Sequence, residues 1–202
     1  MELLPLVLTS GWASGINAYA VLVMLNLLGR YAGLDEVPTS VQSTGVLVIA
    51  GSMFLVEFVT DKIPYVDTAW DTISTVIRPA IATMLGYLLA GHADTVDQAF
   101  DQWWYAALGG ATALASHLVK AGIRLGVNAS PEPFTNVAVS LGEDLTVVAV
   151  ITLALYHPWL AFGIALTLFV TGMALVLLLM RLVRRGWQRW KAHNSSRQDV
   201  RA

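Results

Sequence analysis

Six long apolar stretches constrain the fold of this chain more than any other feature of its sequence. They cover residues 18–32, 41–59, 72–90, 105–127, 134–156 and 159–183. A helix needs about 20 apolar residues to cross the ~30 Å hydrocarbon core of a bilayer, and hydrophobic residues make up 56% of the 202 in this chain. We therefore predict an all-α, polytopic membrane helix bundle with about six transmembrane helices. It forms one domain over residues 1–185, followed by a basic tail over 186–202.

The N-terminal segment is interrupted where the other stretches are continuous. Residues 3–8 are apolar but too short to cross a bilayer, and Gly11, Ser14, Gly15 and Asn17 follow them. Irregular backbone at membrane depth survives only inside protein or beside a watery cavity. The pattern predicts a broken helix or a re-entrant turn at the inner face, with Asn17 directed at that cavity. Alternatively, the glycines only permit close helix packing.

The basic residues indicate how the helices are oriented. Seven of the 12 lysines and arginines lie within residues 181–201. Because short loops and tails rich in these residues stay in the cytoplasm, the C-terminus should be cytoplasmic. Six crossings then place the N-terminus on the cytoplasmic side as well.

Polar residues recur at helical spacing on the inner halves of four predicted helices. Residues 57–79 place four carboxylates, a lysine and an arginine between two apolar runs. Glu143 and Asp144 lie about ten residues into the fifth helix, where each buried acid costs at least ~2.5 kcal/mol. The candidate ion-binding or substrate-binding residues are Asn17, Glu57, Asp61, Lys62, Asp67, Asp71, Arg78, His117, Lys120, Arg124, Asn128, Asn136, Ser140, Glu143 and Asp144.

Several motifs together resemble one family of bacterial integral membrane proteins. They lie at 14–19, 57–64, 77–79 and 128–136, with the adjacent acids Glu143 and Asp144. The family is known only as domain of unknown function 4126. The resemblance covers nearly the whole chain except the tail, and it implies a bacterial inner-membrane protein without a settled activity.

The two halves of the chain show a weak internal match. Residues 30–38 and 124–131 each begin with arginine and end with proline, at the ends of the first and fourth predicted helices. With three crossings in each half, a duplication would give inverted three-helix repeats, as in many secondary transporters.

The inner polar cluster has more acids than bases. It contains six carboxylates and four lysine or arginine side chains, which leaves room for one divalent cation such as magnesium or for two protons. Our first hypothesis is a small transporter or channel-like protein with an ion or substrate site open to the cytoplasm. The cation or metal would be held by Glu57, Asp61, Glu143 and Asp144, and the bases would engage an anionic solute.

Two alternatives remain open at this point. One is a metal-dependent membrane enzyme acting on a phosphorylated lipid, with Asp61, Asp67 and Asp71 holding magnesium and His117 as general acid or base. The other is a structural or assembly subunit whose charges only pair with one another. We favour a transporter over an enzyme because the sequence shows no activated nucleophile. The expected partners are membrane lipid, a small ion or anionic solute and further copies of the chain, but no nucleic acid.

Overall fold

Six α-helices make up the computed structural model, which describes residues 3–128 and 133–199. They are α1 (Leu3–Tyr31), α2 (Thr44–Thr60), α3 (Pro64–Leu89), α4 (Val96–Asn128), α5 (Pro133–Tyr156) and α6 (Pro158–Asp199). Four of them, α1, α3, α5 and α6, are long and apolar enough to cross a membrane. The prediction of an all-α membrane bundle is confirmed.

Three helices extend beyond their predicted bounds. α3 begins at Pro64 rather than at residue 72, because a proline is pre-organised for the first turn of a helix. α4 begins at Val96 and absorbs the acidic segment that precedes residue 105. α6 continues through the basic tail as far as Asp199. The part of the motif at 128–136 that spans residues 129–132 lies outside the described residues.

The first helix is interrupted at Asn17, whose backbone is extended (φ −150°, ψ 95°). Before this break, α1 runs parallel to α4, because later residues of α1 contact later residues of α4. Gly11 faces Gly109, and Gly15 faces Ala113. A Cβ atom on either α1 glycine would be too close to α4, so this packing requires glycine.

Both ends of α1 lie at the end of the bundle where α4 and α6 begin. Near the start of α1, Leu8 lines a cavity with Ala111 and Phe162. After the end of α1, residues 35–40 line another cavity with Gln102. The two halves of α1 therefore run in opposite directions and form a re-entrant hairpin, which we call the α1 hairpin. Residues 15–17 are its tip.

The predicted side of the N-terminal segment is wrong. α6 runs parallel to α4, since Gly122 of α4 faces Val176 and Gly126 faces Leu179. The end of α6 and the start of α1 therefore lie at opposite ends of the bundle. The error arose because α1 was counted as one crossing, whereas its hairpin returns to the end from which it entered.

The α1 hairpin occupies the centre of the bundle and packs against each of the other five helices. Its second half carries Val21 and Leu25 into an apolar core with Leu85, Val147 and Ile151. The sequence did not indicate this central position of α1. α6 lies at the periphery of the bundle, where few of its residues are buried.

The repeat hypothesis stays a prediction. The second half of α1 with α2 and α3 runs in the opposite sense to α4, α5 and α6, as an inverted repeat requires. The two arginines of the internal match nevertheless have different surroundings. Arg30 is exposed and donates to the Thr44 hydroxyl, whereas Arg124 is buried against Asp67.

Candidate functional site

The predicted polar residues converge into two adjoining clusters. The tip cluster surrounds the end of the α1 hairpin and consists of Asn17, Glu57, Asp71, Arg78, His117, Lys120, Glu143 and Asp144. The link cluster lies beside the α2–α3 link and consists of Asp61, Asp67, Arg124, Asn128 and Asn136. Asp61 joins the clusters through its carboxylate, which accepts from Lys120.

The break in α1 leaves two backbone carbonyls available to basic side chains. In an uninterrupted helix each would accept from the N–H four residues later. Instead, Arg78 Nη1 donates to the Gly15 carbonyl at 3.2 Å, and Lys120 Nζ donates to the Ile16 carbonyl at 3.0 Å. Carbonyls at the end of a half-helix carry partial negative charge, so the two cations stabilise the hairpin tip.

Asn17 holds the other side of the tip. Its Oδ1 accepts from the Ala20 N–H at 2.9 Å and so caps the second half of α1. Its Nδ2 donates to Asp144 Oδ1 at 3.0 Å. Asp144 Oδ2 is buried and has no hydrogen-bond partner among the described residues. The hairpin tip is thus joined to α5 by one amide.

Arg78 lies at the centre of the tip cluster and is fully buried. Its Nη2 is 2.5 Å from Glu57 Oε1, and its Nη1 is 3.2 Å from Asp71 Oδ1. Nη1 also donates to His117 Nδ1 at 2.7 Å. One guanidinium therefore joins α1, α2, α3 and α4.

The contact with Arg78 defines the state of His117. A guanidinium can only donate, so Nδ1 must accept, and the imidazole is neutral with its proton on Nε2. Nε2 lies 3.0 Å from the Asp71 carbonyl and 3.0 Å from the Thr75 hydroxyl. Both ring nitrogens are engaged inside the protein, which does not fit the role of general acid or base predicted for His117.

Three carboxylates surround the Lys120 ammonium. Its distances are 2.9 Å to Asp61, 3.5 Å to Glu143 and 3.9 Å to Glu57. The four acids predicted to hold a metal thus meet a lysine or, for Asp144, an amide. Among residues 3–128 and 133–199, no group of three or more acids and histidines is arranged to hold a metal ion. A metal held by these four acids therefore stays a prediction.

The link cluster fastens the α2–α3 link to α4 and α5. Arg124 binds both carboxylate oxygens of Asp67, at 3.0 Å from Nε and 2.9 Å from Nη2. Asn128 donates to the same carboxylate at 2.6 Å. The Asp61 carbonyl accepts from Arg124 and from Asn136. All five residues take part in ion pairs or hydrogen bonds that connect these helices, which is the arrangement expected of a structural contact.

Asp61 has a perturbed acidity at this junction. Burial alone would raise its pKa. The charge and hydrogen bond of Lys120, with smaller effects from Arg78 and Arg124, outweigh burial and hold the pKa of Asp61 below its usual range. Asp61 is therefore ionised in the folded protein at neutral pH.

Two predicted residues lie apart from both clusters. Lys62 Nζ donates to the Phe58 carbonyl at 2.6 Å and lies 3.1 Å from the centre of the Phe58 ring. It also lies 3.5 Å from the Ser140 hydroxyl. Within the part of the chain that the structure describes, no carboxylate lies within 4 Å of Lys62.

Most charged side chains of the site are buried in this conformation, and a cavity open to the cytoplasm stays a prediction. Glu57 and Arg78 are 0% exposed and Lys120 is 4% exposed, because the paired side chains fill the space between the helices. A cavity of about 110 Å³ reaches Lys120 and Glu143. Another of about 130 Å³ reaches Asp71 and Arg124.

Sequence reasoning missed the backbone groups of the site. The Gly15 and Ile16 carbonyls accept from bases, and Ser116 Oγ donates to the Trp12 carbonyl at 2.5 Å. The small residues before Asn17 signalled an irregular backbone. They did not show which helix would pack against it.

Comparison with known protein families identifies the family of this chain. The family model described as a domain of unknown function (DUF4126) matches residues 4–179. The chain belongs to this family. No curated protein and no solved structure matches the chain. In this DUF4126 protein the matched region includes the α1 hairpin and both polar clusters, and it ends within α6 before the basic tail. The family description carries no activity, so the function must be argued from the site.

Proposed function

We propose that this protein is a small transporter that carries a proton or a cation through the tip cluster. The observation that carries the proposal is the α1 hairpin, which ends inside the bundle among buried acids and bases. Half-helices that end near the middle of the membrane, with free carbonyls and polar side chains, form the ion sites of many secondary transporters. A purely structural bundle has no need of a central helix that turns back on itself.

The charge balance of the site supports the same proposal. The two clusters and Lys62 contain six acids and four bases, and the excess of two formal negative charges is costly away from water. Oε2 of Glu57, Oδ1 of Asp61 and Oδ2 of Asp144 are buried without a hydrogen-bond partner among the described residues. A proton or cation bound at these oxygens would reduce the net negative charge of the site.

Glu143 and Asp144 are the acids best placed to accept that charge. Glu143 has only a loose contact with Lys120, at 3.5 Å and without a hydrogen bond. Asp144 has no ion-pair partner within 4 Å in the described residues and binds the amide of Asn17 instead. Protonation of Asp144 would weaken its contact with the hairpin tip, because hydrogen bonds to charged groups are the stronger ones.

We further propose that the protein lies in the inner membrane of a bacterium with its basic tail in the cytoplasm. The start of α1 and the α1–α2, α3–α4 and α5–α6 links then lie on the outer side. The two clusters occupy the cytoplasmic half of the bundle, so the closed conformation would open toward the cytoplasm. Association between copies of the chain stays a prediction.

The enzyme alternative is less well supported by the geometry. Asp61, Asp67 and Asp71 would have to share a magnesium ion, yet each contacts a different base. The structural alternative is favoured by one specific observation, namely the close pairing in the link cluster. The two functions make different predictions for the unpaired acid Asp144.

A flux assay separates them. The protein is reconstituted into liposomes that contain a pH-sensitive dye, and a membrane potential is imposed. We expect proton or cation flux above that of protein-free liposomes, lost in Asp144→Asn. The matched control is Asp101→Asn, which neutralises an exposed acid near the start of α4 and should retain flux.

The proposal is rejected if the wild-type protein gives no flux under proton, sodium, potassium and magnesium gradients. It is also rejected if Asp144→Asn transports as well as the wild type. Either result would favour a structural or assembly role.

A further inference from the structure

An apolar cavity lies between the first half of the α1 hairpin, α4 and α6. Its volume is about 380 Å³. Its lining includes Trp12, Thr112, Ala115, Leu166 and Phe169. The hydroxyl of Thr112 is bonded to the Leu108 carbonyl. The wide part of the cavity is therefore lined almost entirely by hydrocarbon.

This cavity adjoins the smaller one that reaches the tip cluster. Trp12 and Phe169 line both, and the smaller cavity, of about 110 Å³, is also lined by Lys120 and Glu143. The exposed side chain of Leu166 forms part of the rim of the wide cavity. The two cavities share the side chains of Trp12 and Phe169, and together, as what we call the joined cavities, they extend from the apolar surface of the bundle to the Glu143 carboxylate.

The inner end of the joined cavities favours a hydrogen-bond donor. Lys120 already donates to the Ile16 carbonyl and to Asp61. Glu143 Oε2 is only loosely held by Lys120 and has no hydrogen bond within the described residues. The available hydrogen-bonding capacity at Glu143 is therefore that of an acceptor, and the excess of acids over bases in the site opposes an anion.

We propose that the joined cavities bind a lipophilic amine, with its hydrocarbon part between α4 and α6 and its ammonium group at Glu143. Such a molecule partitions into the bilayer and would reach the wide cavity from the membrane. The inference rests on the proposed transport function and names the class of substrate for the same site.

The test uses three linear molecules with the same apolar chain and different head groups: decylamine, decanol and decanoate. Native mass spectrometry of the full-length protein in detergent counts the bound molecules during a titration. We expect decylamine to bind at least about tenfold more tightly than the other two, because a hydrogen bond between charged groups is stronger than one between neutral groups.

Three variants assign the site. Glu143→Gln should reduce the affinity for decylamine to that for decanol. Ala115→Phe, which fills the wide cavity, should weaken binding of all three molecules. The matched control Ala107→Phe adds the same ring at an exposed position of α4 outside this cavity and should bind decylamine like the wild type. Thermal unfolding and gel filtration show whether each variant is folded.

The possible outcomes decide between occupants. Equal binding of decylamine and decanol, lost in Ala115→Phe, would identify a neutral acyl-chain site and overturn the proposal. Tighter binding of decanoate, or unchanged amine binding in both Glu143→Gln and Ala115→Phe, would also overturn it. Because binding is measured without flux, an absence of amine binding combined with flux that requires Asp144 rejects this inference and keeps the proposed function.

Discussion

Neutralising Asp67 and neutralising Asp144 should have very different effects on stability. Asp67 is fully buried and binds Arg124 through both oxygens, at 2.9 and 3.0 Å. Asp67→Asn keeps the shape but leaves the Arg124 guanidinium buried without a countercharge, which typically costs ~3–5 kcal/mol. Asp144→Asn loses one charge-assisted bond to Asn17 but also removes a buried charge that lacks an ion-pair partner among the described residues. The two effects oppose each other, and we expect the free energy of unfolding to change by no more than about 1 kcal/mol.

Thermal unfolding in detergent, followed by tryptophan fluorescence, measures both variants. At roughly 2–4 °C per kcal/mol for a chain of this size, Asp67→Asn should lower the Tm by on the order of 10 °C. Asp144→Asn should shift it by only a few degrees. Equal losses in the two variants would show that Asp144 is also a structural ion pair and would refute the distinction. An unchanged Tm for Asp67→Asn would show that the link cluster does not stabilise the bundle.

Three further outcomes follow from the geometry. This chain has no cysteine, so the single variants Leu4→Cys and Lys191→Cys can each be labelled with a membrane-impermeant thiol reagent. The two variants should be labelled from opposite sides of the membrane. Labelling of both from the same side would contradict the α1 hairpin. Gly15→Ala should destabilise the protein by ~1–3 kcal/mol, because a Cβ atom there would clash with α4, whereas Gly51→Ala, with open space around it, should not destabilise it in the same unfolding assay. The folded protein lowers the pKa of Asp61, so ionised Asp61 stabilises the fold above its unfolded pKa of about 3.9, and this stabilisation is lost as the pH falls through the folded pKa. The difference in unfolding free energy between wild type and Asp61→Asn should therefore shrink in acid. A difference that stays constant with pH would contradict this.

The sequence allowed the class of fold and the members of the polar site to be predicted, because both depend on local patterns. Long apolar runs indicate membrane helices irrespective of their packing. Acids at helical spacing in apolar surroundings must find partners, so Glu57 and Glu143 could be expected to meet. In the structure they share Lys120.

The direction of α1 could not be predicted in the same way. The glycines and Asn17 indicated a break. The angle between the two half-helices, however, depends on the φ and ψ angles of one residue and on the helix against which the half-helices pack. Gly11 and Gly15 fit against α4, which begins more than 80 residues later in the chain. A contact between such distant segments leaves no periodic signal, and the topology derived from counting crossings was wrong for the same reason.

The contacts at the hairpin tip also indicate which part of the molecule can move. Most acids and bases around the tip are held by ion pairs among α2, α3, α4 and α5. The hairpin itself is held through neutral backbone carbonyls, which accept from Arg78, Lys120 and Ser116, and through the bond from Asn17 to Asp144. Of these attachments, only the last has an acceptor that a proton can neutralise. On the proposed mechanism, a proton at Asp144 therefore loosens the hairpin while the ion pairs of the surrounding helices remain. Proton binding at the site is thereby coupled to the position of the α1 hairpin, which enters the bundle from the outer side.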